Sequence, residues 1–105
     1  MIKNNTSKTN GCHHIGLSVG ELDASAAFFT DILGWREVRR DNSYPAVFVS
    51  DGFIMVTLWQ SQKDCPQDFD KNTVGLHHVA FMVNSEKILN DCYQIIKNNN
   101  LKIEK

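Results

Sequence analysis

The sequence predicts an α+β domain, made of one β-α-β-β-β unit followed by the β-α-β opening of a second copy. Two observations carry that prediction. The segment Gly11-Cys12-His13-His14-Ile15-Gly16-Leu17-Ser18-Val19 returns as Gly75-Leu76-His77-His78-Val79-Ala80-Phe81-Met82-Val83, with the glycine, both histidines and the final valine identical. A repeat of that length marks one supersecondary unit used twice. Each copy also alternates apolar and small or polar residues, as a half-buried strand does, and is followed by an apolar stripe at helical spacing.

The elements follow in order. Residues 1–10 are polar and aperiodic, the pattern of a disordered N-terminal tail. In the first strand, Cys12 to Val19, Ile15, Leu17 and Val19 share one face, and Cys12, His14, Gly16 and Ser18 the other. Gly20 ends the strand. Asp23 is the expected helix N-cap, Ala26, Ala27, Phe29, Ile32 and Leu33 form the buried stripe, and Gly34 closes the helix. Trp35 to Arg40, Ala46 to Ser50 and Phe53 to Trp59 read as three more strands, the last two joined by a tight turn at Asp51-Gly52. The first unit therefore spans residues 11–60, and the polar, proline-containing stretch 61–74 is a linker.

Residues 75–105 read as an incomplete second unit. Val79, Phe81 and Val83 repeat the core-facing positions of the first strand. Lys87 to Lys97 is a helix with Ile88, Leu89, Cys92, Ile95 and Ile96 as its stripe. Asn98-Asn99-Asn100 stops it, because asparagine tolerates left-handed backbone. Leu101 to Lys105 is the expected start of a further strand. The repeat offset puts counterparts of the third and fourth strands at 106 to 124. A sheet left open there invites pairing with another chain, so a homodimer or larger oligomer is expected.

Composition narrows the function classes. The net charge of −1 supplies no basic field for nucleic acid, and no apolar run reaches the ~20 residues that span a membrane. Three cysteines without a CxxC pair, and no apolar leader, point to free thiols and a cytoplasmic protein.

All four histidines lie in the repeated segments. His14 and His78 are equivalent, each on the strand face opposite the aliphatic core and beside small residues. Such a face suits a cavity. Two imidazoles from related strands can share a divalent metal there; a repeat can equally keep histidine for structural reasons. His13 and His77 face the other way and read as structural or surface residues. Cys12 shares the face of His14 and is either a soft third ligand or an inert buried thiol. Arg36, Arg39 and Arg40 either attract an anion or form a solvated ion-paired strand with Glu37 and Asp41. Met55 and Trp59 share a face with Thr57, where Trp59 either stacks on an aromatic ligand or packs in the core.

The run from Cys12 to Val19, with Leu22-Asp23-Ala24-Ser25-Ala26-Ala27-Phe28-Phe29 and Asp31-Ile32-Leu33-Gly34-Trp35, resembles the opening of a vicinal-oxygen-chelate domain. Gly75 to Phe81 resembles the opening of that family's second module. The superfamily includes glyoxalase I, methylmalonyl-CoA epimerase, extradiol dioxygenases, fosfomycin-resistance enzymes and bleomycin-binding proteins. The resemblance runs from Gly11 to the C-terminus and is specific for the fold rather than for an activity. It implies that modules pair within or between chains around a cleft for a small molecule. In metal-using members it implies four ligands. Two correspond to His14 and His78; the third, a Glu or Gln, falls on Thr57; the fourth falls near position 121. Threonine is a poor ligand for a divalent cation, so the resemblance implies Ni, Zn or Fe held weakly by His14 and His78. The carboxylate ligands also act as the base in glyoxalase-like proton transfer. Two functions from different classes follow as expectations. One is a metal-dependent lyase or isomerase of the glyoxalase type, or a remnant of one. The other is a metal-free protein that sequesters a small molecule, as in bleomycin resistance, with Met55, Thr57 and Trp59 lining the cavity.

Overall fold

The structure, a computed structural model, describes residues 6–103. Its centre is a four-stranded mixed sheet of β1 (His14–Val19), β2 (Arg36–Asp41), β3 (Ala46–Ser50) and β4 (Met55–Gln60), in the spatial order β1-β4-β3-β2. β1 runs parallel to β4, and the remaining pairs are antiparallel. Between β1 and β2 lies the helix α1 (Leu22–Ala27), continued by a π-helical turn, Phe28–Ile32. A second helix, α2 (Glu86–Asn98), follows the long connection after β4.

The β1 alternation sets the layers: Ile15, Leu17 and Val19 are half-buried, and His14, Gly16 and Ser18 between them are exposed. Leu17 and Val19 pack with Val47, Val49, Val56 and Leu58 against Ala26, Phe29 and Trp35. Val47, Val49, Val56 and Leu58 have no solvent exposure, and each such side chain contributes about 1.5–3 kcal/mol relative to leaving it in water. The π turn closes with Leu33 N–H on the Phe28 carbonyl at 3.1 Å and Trp35 N–H on the Phe29 carbonyl at 2.9 Å. That wider turn brings both Phe28 and Phe29 to the core, and Gly34, at φ 75, makes the left-handed exit.

The helix start differs from expectation. α1 begins at Leu22, and Asp23 lies inside its first turn rather than capping it. The cap comes from the end of the neighbouring strand, distant in sequence: Gln60 Oε1 accepts from Leu22 N–H at 3.0 Å, while Gln60 Nε2 donates to the Gly20 carbonyl at 2.7 Å. The turn after β3 is also longer than a two-residue hairpin. Asp51 Oδ1 accepts from Phe53 and Ile54 N–H, and β4 starts at Met55.

The second unit departs most from the sequence reading. Residues 76–83 form no strand, nor do residues 101–103; Glu104 and Lys105, the rest of that expected strand, lie outside the described residues, as do the first five of the expected tail. The reason lies in the ladder. β1 is hydrogen-bonded in the sheet only to β4, and no counterpart of β4 follows α2 among the described residues. Without that neighbour the backbone polar groups of 76–83 have no strand to pair with. Phe81 ties the segment to the core, its ring 5.1 Å from Trp35 and 6.2 Å from Phe29. The α2 stripe is likewise not buried: Leu89 is 56% exposed, Ile88 and Ile95 41%, since the sheet that would cover it is absent from the described residues. The ends of α2 are well built from local chemistry. Ser85 Oγ accepts from Ile88 N–H at 3.2 Å. At the other end Asn100 takes φ 59, with Leu101 N–H on the Ile96 carbonyl and Asn100 N–H on that of Lys97, a complete Schellman closure.

Candidate functional site

One face of the sheet is covered by α1 and its π turn. The other is open, and the strand register states what it carries. Gly16 lies beside Thr57, His14 beside Met55 and Ser18 beside Trp59 across β1 and β4. Phe48 lies beside Thr57, and Ser50 beside Met55, across β3 and β4. Met55, Thr57 and Trp59 therefore share the open face with His14.

At its centre Trp59 folds inward. Its Nε1–H donates to Thr57 Oγ1 at 3.0 Å, and the Thr57 hydroxyl donates onward to the Ile15 carbonyl at 3.4 Å. Thr57 is only 5% exposed, beneath a half-buried Trp59. Gly16 makes this arrangement possible. A Cβ there would lie 3.1 Å from Thr57 Oγ1 and 3.7 Å from Trp59 Nε1.

Three further side chains extend the surface: Phe48 and Tyr44, which the sequence does not single out, and Arg39, one of the three arginines it offers for an anion. Phe48 and Tyr44 meet the Trp59 ring edge-on at 6.0 and 5.4 Å, a preferred aromatic geometry. The Arg39 guanidinium sits 5.0 Å over the Phe48 ring. Arg39 reaches this face through a bulge: the β2–β3 register slips between Glu37 and Arg39, so Arg39 rather than Val38 stands opposite Phe48. Tyr44 is placed by the turn before β3, where Asp41 Oδ1 accepts from the Ser43 hydroxyl at 2.8 Å and from the N–H groups of Ser43 and Tyr44. The Ser43 hydroxyl foremost, then the two N–H groups and the nearby Arg39 charge, hold the Asp41 carboxyl below the usual aspartate range, against a smaller opposing effect of burial.

A cleft of about 530 Å³ opens beside Trp59, lined also by Ser43, Tyr44, Pro45, Gln60, Ser61, Gln62 and Lys63. Its lining includes an indole, a phenol and an ammonium. The other arginines are engaged differently. Arg40 is bonded to Asp23 at 2.8 Å and to Glu37 at 2.9 Å, contacts that hold its guanidinium well above its ordinary range, Glu37 contributing most. Arg36 is exposed.

The histidines are arranged in two local pairs. His14 Nδ1 lies 2.9 Å from His13 Nδ1, and His78 Nδ1 lies 2.9 Å from His77 Nδ1. Among the described contacts nothing joins one pair to the other. Cys12 is exposed, its thiol donating to the His14 carbonyl.

The donors here do not fit a three- or four-ligand metal centre. Among the described residues no group of three His, Cys, Asp or Glu side chains lies together. The Thr57 oxygen, where the resemblance implies a third ligand, is committed to Trp59 and Ile15.

Among known proteins, the family model described as Glyoxalase/Bleomycin resistance protein/Dioxygenase superfamily matches residues 11–105. A comparison with curated proteins finds no match. Solved structures resemble the chain along most of its length. A glyoxylase/bleomycin resistance protein/dioxygenase domain from Frankia sp. EAN1pec superposes with a TM-score of 0.78 at 25% identity, covering 89% of this chain and 71% of that one. A genomically encoded fosfomycin resistance protein from Listeria monocytogenes gives 0.71 at 22% identity, covering 92% and 71%. A lactoylglutathione lyase from Agrobacterium tumefaciens gives 0.67 at 19% identity, covering 94% and 77%. At those identities the last two show the fold alone. No helix among the described residues is long and apolar enough to cross a membrane.

Proposed function

Because the chain belongs to the Glyoxalase/Bleomycin resistance protein/Dioxygenase superfamily, we propose that it binds a small planar organic anion on the open face of its sheet, without a metal. The observation that carries this reading is the Trp59–Thr57 hydrogen bond. It fixes the indole as the wall of the cleft and withdraws from ligation the one oxygen aligned with a metal ligand of the family. Tyr44 and Phe48 beside the indole supply apolar surface, and Arg39 and Lys63 supply positive charge for a carboxylate or sulfonate. The test is equilibrium dialysis against 2-naphthoate in the presence of a chelator. Wild-type protein should retain the probe and Trp59→Leu should not. Equal retention by both, or by neither, contradicts the reading.

A second reading keeps His14 and His78 as ligands for Ni, Zn or Fe in a lyase or isomerase. Its support is their equivalence in the repeat and the superfamily whose model matches residues 11–105. It needs a base, and among the described residues the carboxylate that strand pairing aligns with Trp59, Asp41, is held by Ser43 and Tyr44.

We also propose that two copies associate through the uncovered apolar side chains of the second unit. Leu76, Met82, Ile88, Leu89 and Ile95 are each at least 41% exposed, and large apolar side chains left in water favour burial against a second copy. Sedimentation at low micromolar concentration should show a dimer or larger species that Leu89→Asp reduces to monomer. A wild-type monomer contradicts it.

A further inference from the structure

We propose that Gln67 gives the cleft beside Trp59 its preference for an anion: its side-chain amide closes residues 61–67 into one shape and thereby holds Lys63 beside the indole. Gln67 does not line that cleft and acts as a positioning residue. The inference rests on the reading of the open face as a site for a small organic anion.

The segment has no core to shape it. Ser61-Gln62-Lys63-Asp64-Cys65-Pro66-Gln67 contains no large apolar side chain, and ordering such a stretch costs backbone entropy at every residue. Hydrogen bonds supply the order instead. Ser61 N–H on the Val19 carbonyl at 2.9 Å carries the β1–β4 pairing one step past Gln60. Cys65 N–H on the Gln62 carbonyl at 3.1 Å closes a β-turn with Lys63 and Asp64 at its corner. Gln67 ties that turn to the strand end. Its Nε2 donates to the carbonyls of Cys65 at 2.8 Å and Gln62 at 3.0 Å, and its Oε1 accepts from the Ser61 hydroxyl at 3.1 Å.

The chemistry admits few substitutes. The two Nε2 hydrogens meet two carbonyl oxygens, which only accept, so the amide has one workable orientation. Gly20 leaves room for it: a Cβ there would lie 2.8 Å from Gln67 Oε1. Pro66 fixes a further backbone angle just before Gln67.

Lys63 sits at the corner so held. Among the described residues that line the cleft it carries the charge, and among the described ion pairs no carboxylate holds it. It also lines a neighbouring cleft of about 390 Å³, shared with Glu21 and Gln67. The ammonium is therefore placed by the turn rather than by an ion pair, and loosening the turn spreads its charge between the two clefts and into screening solvent.

The experiment reads the charge beside Trp59 in the full chain, without a ligand and with one. Tryptophan fluorescence is quenched with iodide and, separately, with neutral acrylamide at constant ionic strength; Trp35, 9% exposed, contributes little. Lys63→Met should lower iodide quenching roughly 1.5- to 2-fold, the order expected of one nearby charge in water. Gln67→Leu should show most of that loss, and the double variant no more loss than Lys63→Met. Acrylamide quenching should stay the same throughout, with circular dichroism confirming that each variant is folded. Dialysis under chelator then compares 2-naphthoate with its neutral analogue 2-naphthamide. The affinity ratio should fall roughly threefold in Lys63→Met, and by most of that in Gln67→Leu. Four results overturn the proposal: wild-type iodide quenching in Gln67→Leu, a further loss in the double variant, acrylamide quenching that falls with iodide quenching, or an unchanged affinity ratio in Gln67→Leu. If the iodide series comes out as stated while the wild type binds neither probe, the positioning of Lys63 stands and the open-face reading falls.

Discussion

Trp59 Nε1 donates to Thr57 Oγ1 at 3.0 Å across one turn of the pleat, although residues two apart on a strand usually point the same way without touching. The contact needs the indole to lie down along β4, and it can do so because Gly16 on β1 leaves the space above Thr57 empty. A wall for a ligand and a neutralised oxygen arise from the same bond.

That bond has a measurable energy. Thr57→Val removes the acceptor from a half-buried donor and should cost about 1 kcal/mol. Trp59→Phe removes the donor together with indole packing. The double variant should be less unstable than the sum of the two, with a coupling of about 0.5–1.5 kcal/mol from urea unfolding. Strict additivity would show that the two side chains do not act together.

Gly16→Ala should lower both stability and probe retention. Gly16 does not need a left-handed backbone here, so the expected cost of about 1–3 kcal/mol comes from crowding of Thr57 and Trp59. Thr57→Ala in the same chain removes the crowding atom and should recover part of the lost stability. If Gly16→Ala is silent in thermal unfolding, the indole is not seated over that position.

Asp41 gives the acid response a sign. Its folded-state pKa is held below the usual range, first by the Ser43 hydroxyl. Its contribution is therefore complete above the unfolded-state pKa and is lost as pH falls through the lower folded value. From about pH 4 downward, wild-type melting temperature should fall more steeply than that of Asp41→Asn. Parallel curves would mean that Asp41 does not hold the Ser43–Tyr44 turn.

The features legible in the sequence depend on neighbours in the chain. Alternation put Ile15, Leu17 and Val19 on the core side, and Gly34 and Asn100 marked left-handed exits that the backbone adopts. What escaped depends on distant partners. No local pattern in Arg36 to Asp41 shows that a bulge will turn Arg39 toward Phe48. Nothing near Leu22 shows that Gln60 will cap it. The alternation of 76–83 matches that of β1, but alternation makes a strand only where a ladder partner exists. The site was legible in the same measure: Thr57, Trp59 and Met55 shared a face on parity alone, whereas Tyr44 and Phe48 joined them through a turn and a strand pairing.

The indole resonances of the two tryptophans distinguish a ligand on the open face from one elsewhere. Trp35 is 9% exposed in the core and Trp59 is half-buried on the open face. In a ¹H–¹⁵N correlation spectrum, with the Trp59 signal identified by its loss in Trp59→Phe, titration with 2-naphthoate under chelator should move the Trp59 Nε1–H peak and leave that of Trp35 in place. A shift confined to Trp35, or no shift of Trp59 while dialysis shows the probe bound, would place the ligand elsewhere and contradict binding on the open face.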